Sequence, residues 1–441
     1  MSSPTPFDFF APCPRGLEAA LAAEFAEIAE RLPSVAGAPP FEVGAQVPGG
    51  VHFRGGWAAG MAANLHSRIA SRVLLKIAER PYRGEQDIYA LAAEQQWERW
   101  FSANETLRVD LTAIKSPLRS LEFATLRVKD AVCDRLRSVS GARPSVDTAQ
   151  PDVRVFAFLT ATVCTLYLDT SGEPLFKRGW RLDKGAAPLR ENLAAGILRL
   201  TGWTPGTPLY DPMCGSGTFV AEAAQIARGV APGVERRFGF EKLKQYDVSV
   251  WQSMKVAALD AKREAGARKV DLPIFASDIS GDMLEKARAN LARAGVPSLW
   301  LKQLDARAIV PPSEQPGIII ANPPYGERIE VRGRGPRGDV REPRHASREA
   351  GSEAFNRAQP DCADGEFFRA FGDALKQRFA GWRAFVLTSD RSLPGQMRLR
   401  ESTKTPLFNG ALECRLFRFD LVSGSVKSRP QSQDGGAGAG Q

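Results

Sequence analysis

Apolar residues alternate at Phe7 and Phe9, stop at Pro12 and Pro14, then recur at Leu17, Leu21, Phe25 and Ile28. The first spacing predicts a short strand and the second a helix that ends before Pro33. In a second block Leu107, Val109 and Leu111 alternate, Leu121 to Leu136 have helical periodicity, and Val153 to Leu159 with Val163 to Leu168 read as a hairpin. These strands flank one helix without strict strand-helix-strand repetition, which fits a small α+β module better than the continuation of one sheet. The pattern changes after Gly172. Leu189, Leu193, Ile197 and Leu200 predict a helix with Pro188 near its first turn, and TPLYDPMCGSGTFVAEAAQIA supplies a strand, a glycine-rich turn and a helix. Further strands end at Asp278, Asp305 and Asn322, separated by helical stretches at Met283 to Ala294 and Phe367 to Phe379. Strand and helix alternate throughout, so this half is expected to be a doubly wound α/β sheet.

Two stretches fall outside the pattern. Residues 328–364 are rich in Arg, Gly and Pro with little apolar periodicity, and read as a flexible insertion; residues 423–441 end in GGAGAGQ and read as a disordered tail. The 441-residue chain is 43% hydrophobic, enough for several folded cores, and its net charge of +9 favours a polyanionic partner without requiring one. Six cysteines without a CxxC pair and three histidines suggest neither a zinc site nor a disulfide framework. With no signal-like N-terminus and no apolar run of about 18 residues, the expected location is cytoplasmic.

The chemistry concentrates at strand ends. In DPMCGSG, Asp211 to Gly217, the glycines let backbone N–H groups approach a ligand and the following helix start favours negative charge. A dinucleotide fold would want GxGxxG and an acid about 20 residues on. Here Asp211 comes first and the next strand-end acid, Asp278, lies much further along. An acid at the strand tip suits an ammonium better than a pyrophosphate, which points to S-adenosylmethionine, with Asp278 for its ribose hydroxyls and Asp305 for its adenine amine. A lone strand-end Asp ordinarily caps a helix. Three on one sheet edge read instead as a ligand site, because ligands bind at the carboxyl ends of parallel strands.

The run IIIANPPYGERI ends a buried strand in Asn and two prolines, which fix a stiff, extended turn. On that edge the Asn322 side-chain oxygen and the Pro323 carbonyl can accept both hydrogens of a planar amine, and Tyr325 can stack on the ring that carries it. Such a site needs position more than a strong base.

DPMCGSG and NPPYGER, preceded by KRGWR and APLRENLAA between Lys177 and Ala195, resemble the bacterial RlmL-type large-subunit rRNA guanine-N2 methyltransferases, which contain a THUMP domain. The resemblance extends over nearly the whole ordered chain through PRGLEAALAAEF, GGVHFRG (Gly49 to Gly55), SRIASRVLL (Ser67 to Leu75) and PDVRVFAFL. It implies a ferredoxin-like segment at residues 1–60, a THUMP RNA-binding domain at 61–172, and a Rossmann-like methyltransferase domain at 173–422. By motif it implies that Asp211, Pro212, Cys214, Gly215 and Gly217 hold the methionine moiety, Asp278 the ribose and Asp305 the adenine. Asn322, Pro323, Pro324 and Tyr325 would hold the target guanine. The implied partner is 23S rRNA, naked or in an assembling large subunit, with neither a metal nor a membrane. The second methyltransferase to which some RlmL-type proteins are fused is not expected within this chain.

For RNA contact, Lys115, Arg119, Arg127 and Lys129 lie on and before one helix, and Arg332, Arg334 and Arg337 lie in the insertion. Exposed helix charges are the ordinary case, so each is a candidate only. Three other readings stay open: a tRNA guanine-N2 methyltransferase, a non-catalytic RNA-binding assembly factor, and a nicotinamide oxidoreductase, the last disfavoured by the missing GxGxxG.

Overall fold

The computed structural model describes residues 6–32, 39–182, 189–268, 272–296, 299–323 and 362–422. Its N-terminal part has strands β1 (Phe7–Pro12), β2 (Glu42–Val47), β3 (Gly50–Gly55), β4 (Leu74–Pro81), β5 (Leu107–Ala113), β6 (Val153–Leu159) and β7 (Val163–Asp169), with helices α1 (Glu18–Arg31), α2 (Trp57–His66), α3 (Glu85–Ala93) and α4 (Leu121–Ser140). The predicted stripe of α1 faces the core: Leu17, Leu21 and Phe25 are fully buried and Ile28 nearly so. Ser120 caps α4 by accepting the Phe123 N–H at 3.1 Å, and Gly141 ends that helix in the left-handed region.

Two features differ from the sequence reading. All seven strands form one sheet, in the order β2-β3-β1-β4-β7-β6-β5, because β4 pairs with both β1 and β7 and so joins the two blocks. Within it β5, α4 and β6 are a parallel strand-helix-strand unit. Helix α2 has no stripe to read: WAAGMAANLH is apolar nearly all round and buries residues on every face.

The C-terminal part has strands β8 (Leu209–Asp211), β9 (Ile274–Asp278), β10 (Trp300–Gln303), β11 (Ile318–Ala321), β12 (Arg383–Thr388), β13 (Thr403–Asn409) and β14 (Leu412–Asp420), and helices α5 (Glu191–Leu200), α6 (Thr218–Ala227), α7 (Val248–Ala267), α8 (Gly281–Arg293), α9 (Cys362–Arg378) and α10 (Leu393–Met397). The sheet order is β10-β9-β8-β11-β12-β14-β13; its first five strands are parallel, and β14 runs antiparallel to both β12 and β13. This is the expected doubly wound α/β fold. Strand order reverses beside β8, and a crevice for ligand opens at such a point. Helix α5 starts at Glu191 rather than at Leu189, since Arg190 is still extended. Among the described residues no helix is long and apolar enough to cross a membrane.

A buried ion cluster joins the two parts. Glu222 of α6 is fully buried and accepts from Arg68 Nη1 at 3.1 Å and Arg178 Nε at 3.2 Å. Arg178 also donates to the Arg68 carbonyl, and the Arg68 N–H donates to Glu24 Oε1 at 2.9 Å. Glu222→Ala leaves two guanidinium groups without their carboxylate, so urea unfolding is expected to show a loss of about 3–5 kcal/mol. Breaking the half-exposed Glu27–Arg199 pair by Glu27→Ala should cost under about 1 kcal/mol. Equal losses from the two variants would overturn the locking role of Glu222.

Candidate functional site

The turn from β8 into α6 is built by two left-handed glycines, Gly215 at φ 52° and Gly217 at φ 81°. At Gly215 the conformation alone demands glycine, since a Cβ there would meet nothing nearer than Met283 Cε at 3.7 Å. Neighbouring elements pin the turn. The Cys214 N–H donates to the Ser277 carbonyl at 3.0 Å, the Gly215 N–H to Asp278 Oδ2 at 2.8 Å, and Asn290 Nδ2 to the Ser216 carbonyl at 3.0 Å. Ser277 is itself held by the Tyr210 hydroxyl, 2.7 Å from its Oγ, with the Pro212 carbonyl 3.5 Å away.

Asp211 ends β8 with its side chain buried and takes one recorded hydrogen bond, from the Met213 N–H to Oδ1 at 3.1 Å. Among the described residues it forms no ion pair. Burial first, and then the charge of Asp278, push its carboxyl well above the ordinary range. Asp278 ends β9 and also accepts the Ser280 N–H at 2.9 Å. A fixed cation placed between these acids would remove a repulsion that burial makes severe. The Cys214 thiol is buried and pushed up by the same surroundings, so the residue contributes its backbone rather than a reactive sulfur.

The other two strand ends behave differently. Strand β10 stops at Gln303, and Asp305 caps the short 3₁₀ turn Ala306–Ala308. Arg307 Nε sits 3.0 Å from both Asp305 oxygens and holds the carboxyl below its usual value. An amine arriving there shares the carboxylate with this guanidinium. Beyond β11, Asn322 is half-buried and Pro323 buried, and Asn322 Oδ1 is shielded from solvent with no hydrogen-bond partner among the described residues. A buried acceptor left open is costly unless a ligand supplies the donor. Pro324, Tyr325, Arg332, Arg334 and Arg337 lie outside the described residues.

The structure therefore brings Asp211, Pro212, Cys214, Gly215, Gly217, Asp278 and Asn322 to the switch point, with Asp305 one strand further out. The four basic candidates of the N-terminal part separate. Arg127 stacks 4.2 Å above the Tyr89 ring and donates to Gln86, while Lys129 pairs with Asp130 at 3.1 Å. Lys115 and Arg119 are exposed on the loop before α4, Lys115 at φ 57°. Sequence reasoning gave no role to Arg181, which donates to Thr218 Oγ1 at 3.2 Å and to Glu191 Oε2 at 3.0 Å and so braces the start of α6. Its signal was the pair of segments KRGWR and RENLAA, both quoted above without an assigned partner.

Comparison with known proteins finds three family matches along the chain. Residues 178–336 match the RMKL-like methyltransferase domain, 82–169 the THUMP domain, and 8–74 the RlmL ferredoxin-like domain. A putative RNA methyltransferase of Synechocystis is 35% identical over 95% of this chain and 98% of its own. The ribosomal RNA large subunit methyltransferase K/L of Aeromonas hydrophila is 36% identical over 96% of this chain and 56% of its own length. The chain thus spans about half the length of the K/L relatives. Among solved structures, a putative methyltransferase complexed with SAH has a TM-score of 0.76 at 26% identity, covering 96% of this chain and 99% of its own. A possible methylase from Clostridium difficile has a TM-score of 0.75 at 26% identity, covering 94% and 98%.

The buried state of Asp211 carries a pH signature. Its folded value lies above the ordinary 3.8, so below that value both folded and unfolded states hold the proton and burial costs nothing. Between that value and the folded one the unfolded chain releases its proton while the folded chain keeps it, so stability falls as pH rises and levels off once pH has passed the folded value. Asp211→Asn is expected to remove that fall, leaving the ligand-free variant more stable than wild type near neutral pH. Thermal melts across about pH 4 to 8 check this. Parallel profiles for the two proteins would show that Asp211 is not held protonated by burial.

Proposed function

The chain belongs to the RMKL-like, THUMP-containing family of S-adenosylmethionine-dependent RNA methyltransferases, and on that premise we propose that it methylates the exocyclic N2 of a guanine in 23S rRNA. The observation that carries the proposal is Asn322 Oδ1, a buried acceptor with no partner among the described residues, at the carboxyl end of β11 beside the switch point. The surroundings fit the cofactor: a buried, unpaired Asp211 suits its ammonium, and the left-handed turn at Gly215 and Gly217 lets backbone approach it. Bound there, S-adenosylmethionine supplies an electrophilic methyl on a sulfonium.

The residues of this chain do the rest. Asp278 receives the ribose hydroxyls through the acceptor capacity that its two backbone bonds leave, and Asp305 shares the adenine amine with Arg307. Asn322 Oδ1 and the Pro323 carbonyl accept the two N–H groups of the guanine amine, which fixes its plane and aims nitrogen at the methyl. Pro324 stiffens the turn and Tyr325 stacks on the base. Transfer would form the N2–C bond as the sulfonium S–C bond breaks, with the neutral thioether S-adenosylhomocysteine leaving and one N2 proton passing to water, so no side chain has to act as a strong base. A guanine in structured RNA must be flipped out to reach this pocket, which favours naked or assembling rRNA. In this reading residues 1–60 and 61–172 supply RNA contact and 173–422 the transfer. Lys115 and Arg119 are the better placed of the four basic candidates, because neither is committed to a carboxylate among the described residues.

Methyl transfer from labelled S-adenosylmethionine to RNA from cells lacking the protein, followed by nucleoside mass spectrometry, is expected to yield N2-methylguanosine in the 23S fraction. Label confined to tRNA, or on another base atom, would overturn the proposal. Asn322→Ala should lower turnover about a hundredfold with cofactor affinity nearly unchanged. Asp278→Ala should instead raise the cofactor Kd about tenfold or more. If both variants change both quantities alike, the separate roles are wrong.

A further inference from the structure

A second set of cationic groups meets where the N-terminal sheet touches the methyltransferase domain. Arg15 follows β1, Ser71 precedes β4, Arg190 precedes α5, and Phe408, Asn409 and Gly410 form the end of β13 and its turn into β14; together they line a cavity of about 150 Å³. The junction is tightly built. The Phe408 N–H donates to the Arg15 carbonyl at 3.2 Å, and Gly16, at φ 93°, lies so close that a Cβ would stand 2.3 Å from the Pro406 carbonyl oxygen. The two guanidinium groups are set against aromatic faces, Arg15 at 4.9 Å from the Phe408 ring centre and Arg190 at 5.0 Å from that of Phe176. Stacking holds each planar fork in place while leaving its edge N–H groups free to donate.

Neither arginine has a carboxylate partner among the described residues. The nearby Glu18 is already engaged by the Gly16 and Gly49 N–H groups at 2.8 and 2.7 Å. Ser71 Oγ accepts from Asn192 Nδ2 at 3.1 Å and still has its O–H to donate toward the cavity. The lining thus presents two guanidinium groups without an ion-pair partner among the described residues and a hydroxyl donor beside the start of α5, a combination that suits a tetrahedral anion. Register places the cavity on the catalytic side. Thr388 at the carboxyl end of β12 pairs with Arg415, so the turn before Leu412 projects past the edge that carries Asp211, Asp278 and Asn322.

We propose that this cavity is a phosphate-binding site that grips a backbone phosphate of the RNA substrate and sets its register relative to the Asn322 pocket. The choice of RNA as the source rests on the functional reading above. An RNA whose base is flipped into a pocket needs a fixed phosphate nearby, since phosphate contacts set position while the pocket selects the base.

The test is binding of an in vitro transcribed 23S rRNA fragment by the full chain across about 50 to 300 mM salt, for wild type, R15Q/R190Q and R15K/R190K. Loss of one gripped phosphate should make the slope of log K against log salt shallower by about 0.7–0.9, with Kd at low salt raised about tenfold in the glutamine variant and close to wild type in the lysine variant. Isothermal titration with inorganic phosphate runs alongside. Phosphate bound by wild type and lost in R15Q/R190Q, with an unchanged RNA slope, would overturn RNA as the source and leave a free-phosphate site. No phosphate binding and no slope change would overturn the site altogether. Should the double glutamine variant fail to fold, the wild-type phosphate titration and the single variants R15Q and R190Q, read by the same slope, still decide. These readouts need no methyl transfer. A normal slope change without N2-methylguanosine sinks the guanine reading alone, and N2-methylguanosine without a slope change sinks the phosphate site alone.

Discussion

The carboxylate of Glu222 is fully buried, and the cations that compensate it come from outside its own helix: Arg68 from the N-terminal part and Arg178 from the connector. A charge so placed is tolerated only while both partners stay in register, because each lone member would face a large desolvation penalty. The two halves of the chain are therefore fixed against one another by an electrostatic requirement as well as by apolar contact. Glu222 sits in the second turn of α6, and the first turn of that helix begins at Gly217, the end of the glycine turn. The lock that seats the N-terminal sheet thus bears directly on the element that frames the cofactor side of the site. Arg181 braces the same helix start through Thr218, so α6 is held from both neighbouring segments.

Much of this was readable from spacing. The stripe of α1, the alternation in β5 and β6, and the strand-helix order after Gly172 all reflect local periodicity, which the chain carries without help from distant residues. What stayed hidden depends on long-range choices. Nothing in Leu74–Pro81 says that β4 will pair with β1 on one side and β7 on the other, yet that pairing merges two expected modules into a single sheet. Helix α2 was invisible for a different reason: a segment buried on all sides shows no polar face, and periodicity needs contrast.

The site divides along the same line. Asp211 and Asp278 could be placed because a strand end is a local event, and the parallel sheet carries both to one edge. The surroundings that decide their chemistry were not legible. Asp305 stands in the expected place, but Arg307, only two residues away, takes much of its carboxylate, and Arg127 is spent on the Tyr89 ring. Residue type and spacing name a candidate; the competition for its lone pairs or its charge is settled by whatever packs beside it. Arg15 and Arg190 are the opposite case, unremarkable in their own segments and brought to one cavity only when the end of β13 meets the loop between β1 and α1.

The active edge is then a contrast between two kinds of acceptor. On one side the buried carboxyl of Asp211, with Asp278 beside it, resists ionising while no cation is near, and a cationic ligand would stabilise its charged form. On the other, Asn322 offers a neutral oxygen at the tip of β11, a strand whose four residues are all fully buried, so its position is fixed before a base arrives. A neutral acceptor can hold an amine and sharpen its orientation without trapping it as a cation. On the proposed reading the division suits a transfer in which the electrophile brings its own positive charge: the carboxylates would answer that charge, and the asparagine would have only to keep the nucleophile in line.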